Sequence, residues 1–319
     1  MYEEEALELG KVALFRVFGL NVYPYALLLV LGAVIALLMA LYRARQGHAA
    51  ADAVLTFGML AIPLSVILGR LVYCGLRLAE LTDFGIGYIF RLDYGGFSMV
   101  GVLLGVLLAG VLTRAITGQR LGGLWDAVVP GLLIMLSVAR FAEGATANGI
   151  GLEVSVDAFK FMPLARLDFY DEYVYSIHFF EGLTDLAVGV YAQTVRRETP
   201  GHAAGIGVTV AAAAQVLWEC LRRDDVPIVS FVRVNMVAAG VVLLAILIIA
   251  LRRLDWPWTG KAVMTAAFLL GAAVVGAMEF AVDGKILYWL PYWACYLADA
   301  IAVTGMGWVC VRTLNAACE

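Results

Sequence analysis

Residues 20–42 read LNVYPYALLLVLGAVIALLMALY, an almost unbroken apolar run of the length that crosses a bilayer as a helix. Comparable runs recur along the chain and give nine candidate spans, near residues 20–42, 54–79, 95–113, 121–139, 176–195, 203–221, 231–251, 260–281 and 289–311. The fifth run is the weakest, because it contains His178, Glu181 and Asp185. The sequence therefore predicts an all-α, polytopic membrane protein with about nine transmembrane helices.

The composition agrees with this prediction. Of the 319 residues, 63% are hydrophobic and 15% are charged, whereas soluble domains are roughly 45–50% apolar and about 25% charged. Disordered, coiled-coil and nucleic-acid-binding classes are excluded on the same grounds. The five cysteines are irregularly spaced and form no CxxC motif, so neither a disulfide framework nor a metal site is expected. The sequence also contains no cofactor motif.

Basic residues in short loops predict the orientation, because Lys and Arg accumulate on the cytoplasmic side of a membrane. Every second connection between the predicted spans, together with the C-terminal tail, is rich in basic residues. These residues are Arg43, Arg45, Arg114, Arg120, Arg196, Arg197, Arg252, Arg253, Lys261 and Arg312. These segments are predicted to be cytoplasmic, which places the acidic N-terminus outside. The outer side nevertheless has about as many basic residues, and several stand at span ends: Arg140, Arg222, Arg223 and Arg233. An anionic phospholipid headgroup is the ligand that this set favours at a membrane surface.

Polar side chains at membrane depth are candidates for a functional site, since a charge at the centre of a span costs roughly 2.5–3.5 kcal/mol on insertion. They are Arg70 in the second span, His178, Glu181 and Asp185 in the fifth, and Gln215 and Glu219 in the sixth. The three residues of the fifth span share one helix face. Guanidinium groups suit phosphate recognition, and the alternative role is an Arg–Glu pair that holds helices together.

Two glycine-rich stretches lie at predicted outer span ends. Residues 95–101 read GGFSMVG, and close helix packing through small residues is the alternative to a functional loop there. Residues 139–151 read ARFAEGATANGIG directly after the fourth span. This composition predicts irregular backbone, which a membrane protein tolerates where it lines a cavity.

Together these segments resemble the prolipoprotein diacylglyceryl transferase family over roughly residues 20–253. The resemblance rests on Tyr25, on Gly69-Arg70-Leu71-Val72-Tyr73, on the two glycine-rich stretches, and on Glu219 and Arg222 in a late motif. It implies transfer of the diacylglyceryl group of phosphatidylglycerol to a lipobox cysteine thiol. The implied setting is a bacterial-type inner membrane with the active face outward, and the implied partners are an anionic phospholipid and a prolipoprotein signal peptide.

The resemblance also implies residue roles. Arg140 is the implied ligand of the lipid phosphate, and the other phospholipid-binding residues are Arg70, Arg222, Glu219 and Tyr25. Several family positions differ, since the family histidine falls on Val100 and the arginine of the late motif falls on Gln215. In the stretch 139–151 the family's Asn, Phe, Asn and Glu fall on Glu143, Gly144, Thr146 and Asn148. Thiol alkylation needs a thiolate, so a replacement base is required. Glu143 and His178 are the predicted catalytic residues, and Arg223 or Arg233 is predicted to replace the lost positive charge.

Residues 1–253 are thus predicted to form a seven-helix transferase-like core, followed by a two-helix extension, 254–319, with no family counterpart. Glu279 and Asp299 of the extension are acids at membrane depth without an assigned role, and residues 288–293, YWLPYW, are typical of a membrane interface. Three functions stay open: a transferase with altered substrate or mechanism, a non-catalytic protein that keeps the fold and a lipid-binding cavity, and a secondary transporter. Against the transporter, the sequence has no inverted repeat.

Overall fold

The protein is mostly helical. The computed structural model describes residues 13–17, 20–91, 96–146, 148–168, 170–195, 199–224, 228–229 and 232–318. The acidic N-terminus, Gly95 and the pair Arg196–Arg197 lie outside these ranges. Within them, the long helices are α1 (Pro24–Arg45), α2 (Ala51–Leu76), α3 (Met99–Thr117), α4 (Leu121–Ala142), α5 (Ile177–Thr194), α6 (His202–Leu221), α7 (Val234–Arg253), α8 (Trp258–Val282) and α9 (Tyr292–Ala316). A short helix, Leu78–Phe84, follows α2.

Eight of these helices in the described ranges are long and apolar enough to cross a membrane. The exception is α5, whose Glu181 and Asp185 interrupt its apolar character. The prediction of an all-α polytopic membrane protein is confirmed, whereas the number of nine spans and the side of the N-terminus stay predictions. Because consecutive helices alternate in direction, α1, α3, α5, α7 and α9 begin at one end of the bundle, called here the upper end.

Three small antiparallel sheets lie at the upper end, and the sequence did not predict them. Strand β1 (Phe15–Val17) pairs with β2 (Leu20–Val22). A second sheet has the order β3-β5-β4 and consists of β3 (Ile150–Glu153), β4 (Ala165–Leu167) and β5 (Tyr173–Ser176). In the third sheet, β6 (Ile228–Val229) pairs with β7 (Val232–Arg233). These strands are two to four residues long, too short to produce a readable alternation of apolar and polar residues. The middle sheet folds the long connection between α4 and α5.

The glycine-rich start of α3 packs against α2. A Cβ atom added at Gly105 would lie 2.5 Å from the Ser65 Cα, and one at Gly101 would overlap the Leu68 carbonyl oxygen. Small residues allow two helix backbones to approach this closely. The packing alternative for residues 95–101 therefore holds at Gly101.

Helix α4 occupies the centre of the bundle. Its Gly131 packs against the backbone of Ala36 on α1, and Gly189 on α5 packs against Ile134. Leu124 and Ala127 of α4 are fully buried. This packing fixes α4 between α1 and α5, so its C-terminal turn delivers Arg140 to a defined place at the upper end.

The C-terminal hairpin, α8 and α9, shares a hydrophobic core with α6 and α7. The core includes Val216, Leu243, Phe268, Val303 and Cys310. The aromatic residues of the 288–293 run are largely exposed, as an interfacial position requires. The division of the chain at residue 253 stays a prediction, and the hairpin is firmly packed on the preceding helices.

Candidate functional site

A buried ion-pair cluster lies at the upper end, where α4 and α6 end and α5 begins. We define it by Arg140, Glu143, Glu181, Arg222 and Asp224. Arg140 Nη1 donates to Glu143 Oε1 at 2.6 Å, and Arg222 Nη2 donates to Glu143 Oε2 at 3.0 Å. Arg222 Nη1 also donates to Glu181 Oε2 at 2.6 Å. Two guanidinium groups from different helices therefore hold both oxygens of one carboxylate.

Glu143 is the most accessible member of this bridge. Its side chain is 15% exposed, against 5% for Arg140 and 4% for Arg222. The carboxylate belongs to a 3-10 turn, Glu143–Ala145, that continues α4. Residues 139–145 are helical and residues 150–151 belong to β3, so the irregular backbone that the sequence predicted for residues 139–151 is found only at the described residues between them.

Gln215 and Glu219 of α6 extend the cluster into the bundle. Gln215 Oε1 accepts a hydrogen bond from Arg140 Nη2 at 2.9 Å, and Gln215 Nε2 donates to Glu219 Oε1 at 2.9 Å. Asn235 Nδ2 donates to the same Glu219 oxygen at 3.0 Å. An arginine has no acceptor atom, so the glutamine makes a contact with Arg140 that the family arginine cannot make.

Asp224 joins the loop after α6 to the loop after α4. Its carboxylate accepts from Arg222 Nη2 at 2.6 Å, from Arg233 Nη1 at 3.0 Å and from the Gly149 backbone N–H at 2.9 Å. Burial alone would raise the pKa of the Asp224 carboxyl, but the hydrogen bonds and charge of Arg222 outweigh that effect and hold its pKa well below its usual range.

Of the two arginines predicted to replace the lost positive charge, only Arg233 lies in this network. Its Nη1 is 3.6 Å from Glu219 Oε2. Arg223 instead donates to the Tyr296 hydroxyl on α9 at 2.5 Å. The replacement of charge at Gln215 itself stays a prediction.

His178 packs against the irregular loop that follows α4. Its backbone N–H donates to the Gly149 carbonyl at 3.0 Å, and its ring Nδ1 lies 3.4 Å from the same oxygen. Gly149 has a φ of 74°, and a Cβ atom there would lie 2.5 Å from the His178 Cβ. Arg166 holds the loop from the other side by donating to the carbonyls of Thr146 and Asn148 at 2.8 and 2.7 Å. An Nδ1–H directed at Gly149 leaves Nε2 as the acceptor nitrogen.

Tyr25 and Val100 lie near the cluster. The charges of Glu143 and Arg140 both act on the Tyr25 hydroxyl. Val100 follows Met99, whose Sδ lies 3.5 Å from Arg140 Nη2. The position of the family histidine is therefore close to Arg140, and it carries no titratable group.

Arg70 lies elsewhere at the upper end. It donates to the carbonyls of Tyr88 at 2.6 Å, Gly96 at 3.0 Å and Arg91 at 3.1 Å. Its guanidinium also stacks on the Tyr88 ring, 4.6 Å from the centroid. These contacts hold the connection between α2 and α3 in place. Its role in phospholipid binding stays a prediction.

The structure thus brings together most of the residues that the sequence singled out. The predicted site residues at or near the cluster are Tyr25, Arg140, Glu143, His178, Glu219 and Arg222. Asp224 and Asn235 also belong to this network and were not predicted from the sequence. An acid two residues after Arg222 was a usable signal for Asp224, whereas nothing in the local sequence distinguishes Asn235.

The charges of the network nearly cancel. Its arginines are Arg140, Arg222 and Arg233, and its carboxylates are Glu143, Glu181, Glu219 and Asp224. Every one of these arginines is within 4.0 Å of a carboxylate oxygen. Each of these guanidinium groups is therefore already paired with an acid, although Arg140 Nε has no hydrogen-bond partner among the described residues.

A surface groove of about 670 Å³ lies away from this cluster, at the lower ends of α1 and α5. Its lining includes Leu38, Tyr42 and Gln193. The groove therefore does not lead to the ion pairs.

Known proteins resemble this chain at low identity. It is 26% identical to a phosphatidylglycerol–prolipoprotein diacylglyceryl transferase of Clostridioides difficile over 156 residues, which are 47% of this chain and 62% of that protein. A Listeria welshimeri protein of the same name is 26% identical over 43% of this chain and 49% of its own length. A Streptococcus suis protein of that name is 25% identical over 78% of this chain and 95% of its own length. The chain thus spans about half to three fifths of the first two relatives and nearly all of the third.

The family comparison covers the region that contains the cluster. The family model for prolipoprotein diacylglyceryl transferase matches residues 12–252, which is more than half of the chain and includes α1 to α6 with all the ion pairs described above. The chain belongs to the prolipoprotein diacylglyceryl transferase family.

Proposed function

We propose that this protein transfers the diacylglyceryl group of phosphatidylglycerol to the cysteine thiol of a prolipoprotein. Its setting is the bacterial cytoplasmic membrane, with the upper end of the bundle facing outward. Family membership and the names of the relatives support the proposal. The observation that carries it is the convergence of Arg140 and Arg222 on the two oxygens of Glu143.

The two arginines that bind the Glu143 carboxylate could bind a lipid phosphate in the same way. Guanidinium groups bind carboxylate and phosphate oxygens with the same paired donors. Glu143 presents two oxygens to two arginines, as a phosphodiester does, and it lies at the accessible edge of the cluster. In our proposal the headgroup phosphate takes the place of Glu143 between Arg140 and Arg222, and Glu143 turns toward solvent.

The transfer itself is a thiol alkylation. The cysteine sulfur attacks the glycerol carbon that carries the phosphate, a C–S bond forms, and the C–O bond to the phosphate breaks. Its electron pair leaves on glycerol phosphate, and the thiol proton passes to a base. Arg140 and Arg222 would stabilise the charge of the leaving phosphate.

His178 is the better placed of the two predicted bases. Both Glu143 oxygens are engaged by arginines before lipid binds, and in our proposal the carboxylate then turns toward solvent, away from the reacting carbon. The ring of His178 lies beside the same turn, with Nδ1 3.4 Å from the Gly149 carbonyl oxygen. In the tautomer that carries its proton on Nδ1, Nε2 is the nitrogen that accepts a proton. We therefore assign proton removal to His178, and to Glu143 the role of occupying the phosphate position until lipid binds.

Complementation tests the proposal. A strain depleted of its own diacylglyceryl transferase should regain growth and lipid-modified prolipoprotein when it expresses this chain. Arg140→Ala should abolish rescue, and Arg45→Ala, which changes an exposed arginine at the lower end, should not. Absence of lipid-modified prolipoprotein, with folded protein present in the membrane, would refute the proposed activity.

A non-catalytic lipid-binding protein is the second candidate. It is favoured by Val100 and Gln215, where the family has a histidine and an arginine, and by the near cancellation of charge around Arg140. A purified preparation in phosphatidylglycerol nanodiscs distinguishes the two. Lipid bound in stoichiometric amount without any mass increase of a lipobox peptide favours this second candidate.

A further inference from the structure

A second group of buried ionisable side chains lies between α6, α8 and α9. It consists of Cys220 on α6, Glu279 on α8 and Asp299 on α9, whose ligand atoms are all within 4.8 Å of one another. Cys220 and Asp299 are buried, at 2% and 0% exposure, and Glu279 is partly buried. Two of the three residues belong to the C-terminal hairpin, which lies outside the family match.

In the described part of the chain, the carboxylates of this group lack hydrogen-bond partners for most of their oxygens. Both oxygens of Asp299 and Oε1 of Glu279 have no hydrogen-bond partner among the described residues. The Cys220 thiol donates to the Val216 carbonyl at 3.2 Å and also interacts with Glu279. A buried polar group is normally hydrogen-bonded, and a buried carboxylate is normally paired or bound to a metal. A fully buried aspartate directed at a thiol and a second acid therefore points to a missing cation.

The donor set selects the kind of cation. One thiolate sulfur and two carboxylate oxygens suit Zn²⁺, which binds Cys, Asp and Glu and commonly takes four ligands in tetrahedral geometry. Ligand atoms at roughly 2.0–2.3 Å from such an ion lie about 3.3–3.8 Å apart. The observed ligand atoms, within 4.8 Å of one another, would have to close by roughly 1 Å to meet that spacing, and three protein ligands leave a fourth position for water.

The charge balance is also favourable. Zn²⁺ binding releases the thiol proton and any carboxyl proton to water, and three anionic donors around a dication leave one negative charge. Arg223 and Arg233 both act on Glu279 with their positive charges. The other titratable neighbours among the described residues include Tyr296 and Cys295, each about one helical turn before Asp299 on α9, Asp283 on α8 and Glu219 on α6.

We propose that Cys220, Glu279 and Asp299 form a Zn²⁺ site that ties the C-terminal hairpin to α6. Cys220 directly follows Glu219, which binds Gln215 and Asn235 on the other side of the helix. The ion would thus fix the same helical turn that supports the ion-pair cluster. Sequence motifs do not predict this site, because each ligand stands on a different helix.

Metal content tests the site without reference to transferase activity. The full-length chain is purified in nanodiscs, loaded with Zn²⁺, desalted and measured by inductively coupled plasma mass spectrometry. We expect about one ion per chain. Co²⁺ is the spectroscopic probe, because a thiolate ligand gives it a charge-transfer band that oxygen ligands do not.

Matched variants identify the ligands. Asp299→Asn and Cys220→Ala should each weaken Zn²⁺ binding at least about tenfold, and Cys220→Ala should remove the cobalt band. Cys310→Ala, in the same hydrophobic core, and Asp283→Asn, at an exposed acid near the end of α8, should bind as the wild type does. Zn²⁺ should raise the thermal unfolding midpoint of the wild type and not of Asp299→Asn.

The site is refuted by a folded wild type that retains no Zn²⁺ above background. It is also refuted by Zn²⁺ binding that Asp299→Asn leaves unchanged. Asparagine is close to aspartate in shape, so this variant remains informative if Cys220→Ala fails to fold. Loss of transferase activity alone decides nothing here, and the two proposals therefore stand or fall separately.

Discussion

Replacement of Glu143 by glutamine tests whether this residue occupies the phosphate position or acts as the catalytic base. In our proposal Glu143 is displaced when the lipid phosphate binds between Arg140 and Arg222. Glu143→Gln removes the competing negative charge and keeps the size of the side chain. We therefore expect tighter binding of phosphatidylglycerol and retention of most of the transferase activity.

The expected magnitude follows from Coulomb's law and an assumed separation. Glu143 touches Arg140 at 2.6 Å and Arg222 at 3.0 Å, and we take about 5 Å as the distance between the displaced carboxylate and a phosphate on the same donors. Two unit charges at that separation repel by about 3 kcal/mol at an effective dielectric constant of about 20. Some of this repulsion is screened at the exposed edge, which leaves an affinity gain of roughly tenfold to hundredfold.

The assay compares the wild type and the variant in nanodiscs. Phosphatidylglycerol is titrated into a neutral lipid background, and both lipid binding and mass increase of a lipobox peptide are followed. Each arginine keeps another partner, Glu181 or Asp224, so the variant should remain folded. A loss of turnover of about a hundredfold or more with unchanged lipid affinity would refute this reasoning and make Glu143 the base.

Three further predictions follow from the described contacts. His178→Ala should lower kcat by about 10²–10⁴-fold with little change in the KM for lipid, and an unchanged kcat would exclude it as the base. Gly101→Ala should destabilise the protein by about 1–3 kcal/mol because its Cβ would meet the backbone of α2, whereas Gly240→Ala, where no atom lies within 4 Å, should be tolerated in the same thermal unfolding assay. The lowered pKa of Asp224 contributes stability above its unfolded pKa of about 3.9 that is lost as the pH falls through the lower folded value. Asp224→Asn should lower the unfolding midpoint at pH 7 and flatten its fall in acid, and identical acid profiles would contradict this.

The sequence predicted the membrane helices and most of the clustered residues because both follow from local signals. Apolar runs locate spanning helices, and Arg140 and Glu181 are conspicuous as charges in an apolar chain. Their mutual contacts were not predictable, since they depend on which helix ends meet. The sheet between α4 and α5 was missed because its strands are too short to show a pattern.

The acids of the C-terminal hairpin show the same limit. Glu279 and Asp299 were recognised as unusual at membrane depth, but their relation to Cys220 depends on how the hairpin packs against α6. Arg70 is the opposite case, because the sequence identified the residue and the structure changed the interpretation of its role. It was recognised from a motif, and its hydrogen bonds to the Tyr88 and Gly96 carbonyls indicate a supporting role for the connection between α2 and α3.

The polar character of α5 has a consequence for the assembly of the protein in the membrane. The 18 residues of this helix reach the length of a spanning segment but not its apolar composition, so α5 by itself is poorly suited to the bilayer. Among the described residues, Glu181 forms ion pairs with Arg140 at the end of α4 and with Arg222 directly after α6. We therefore expect α5 to enter the bilayer together with α4 and α6.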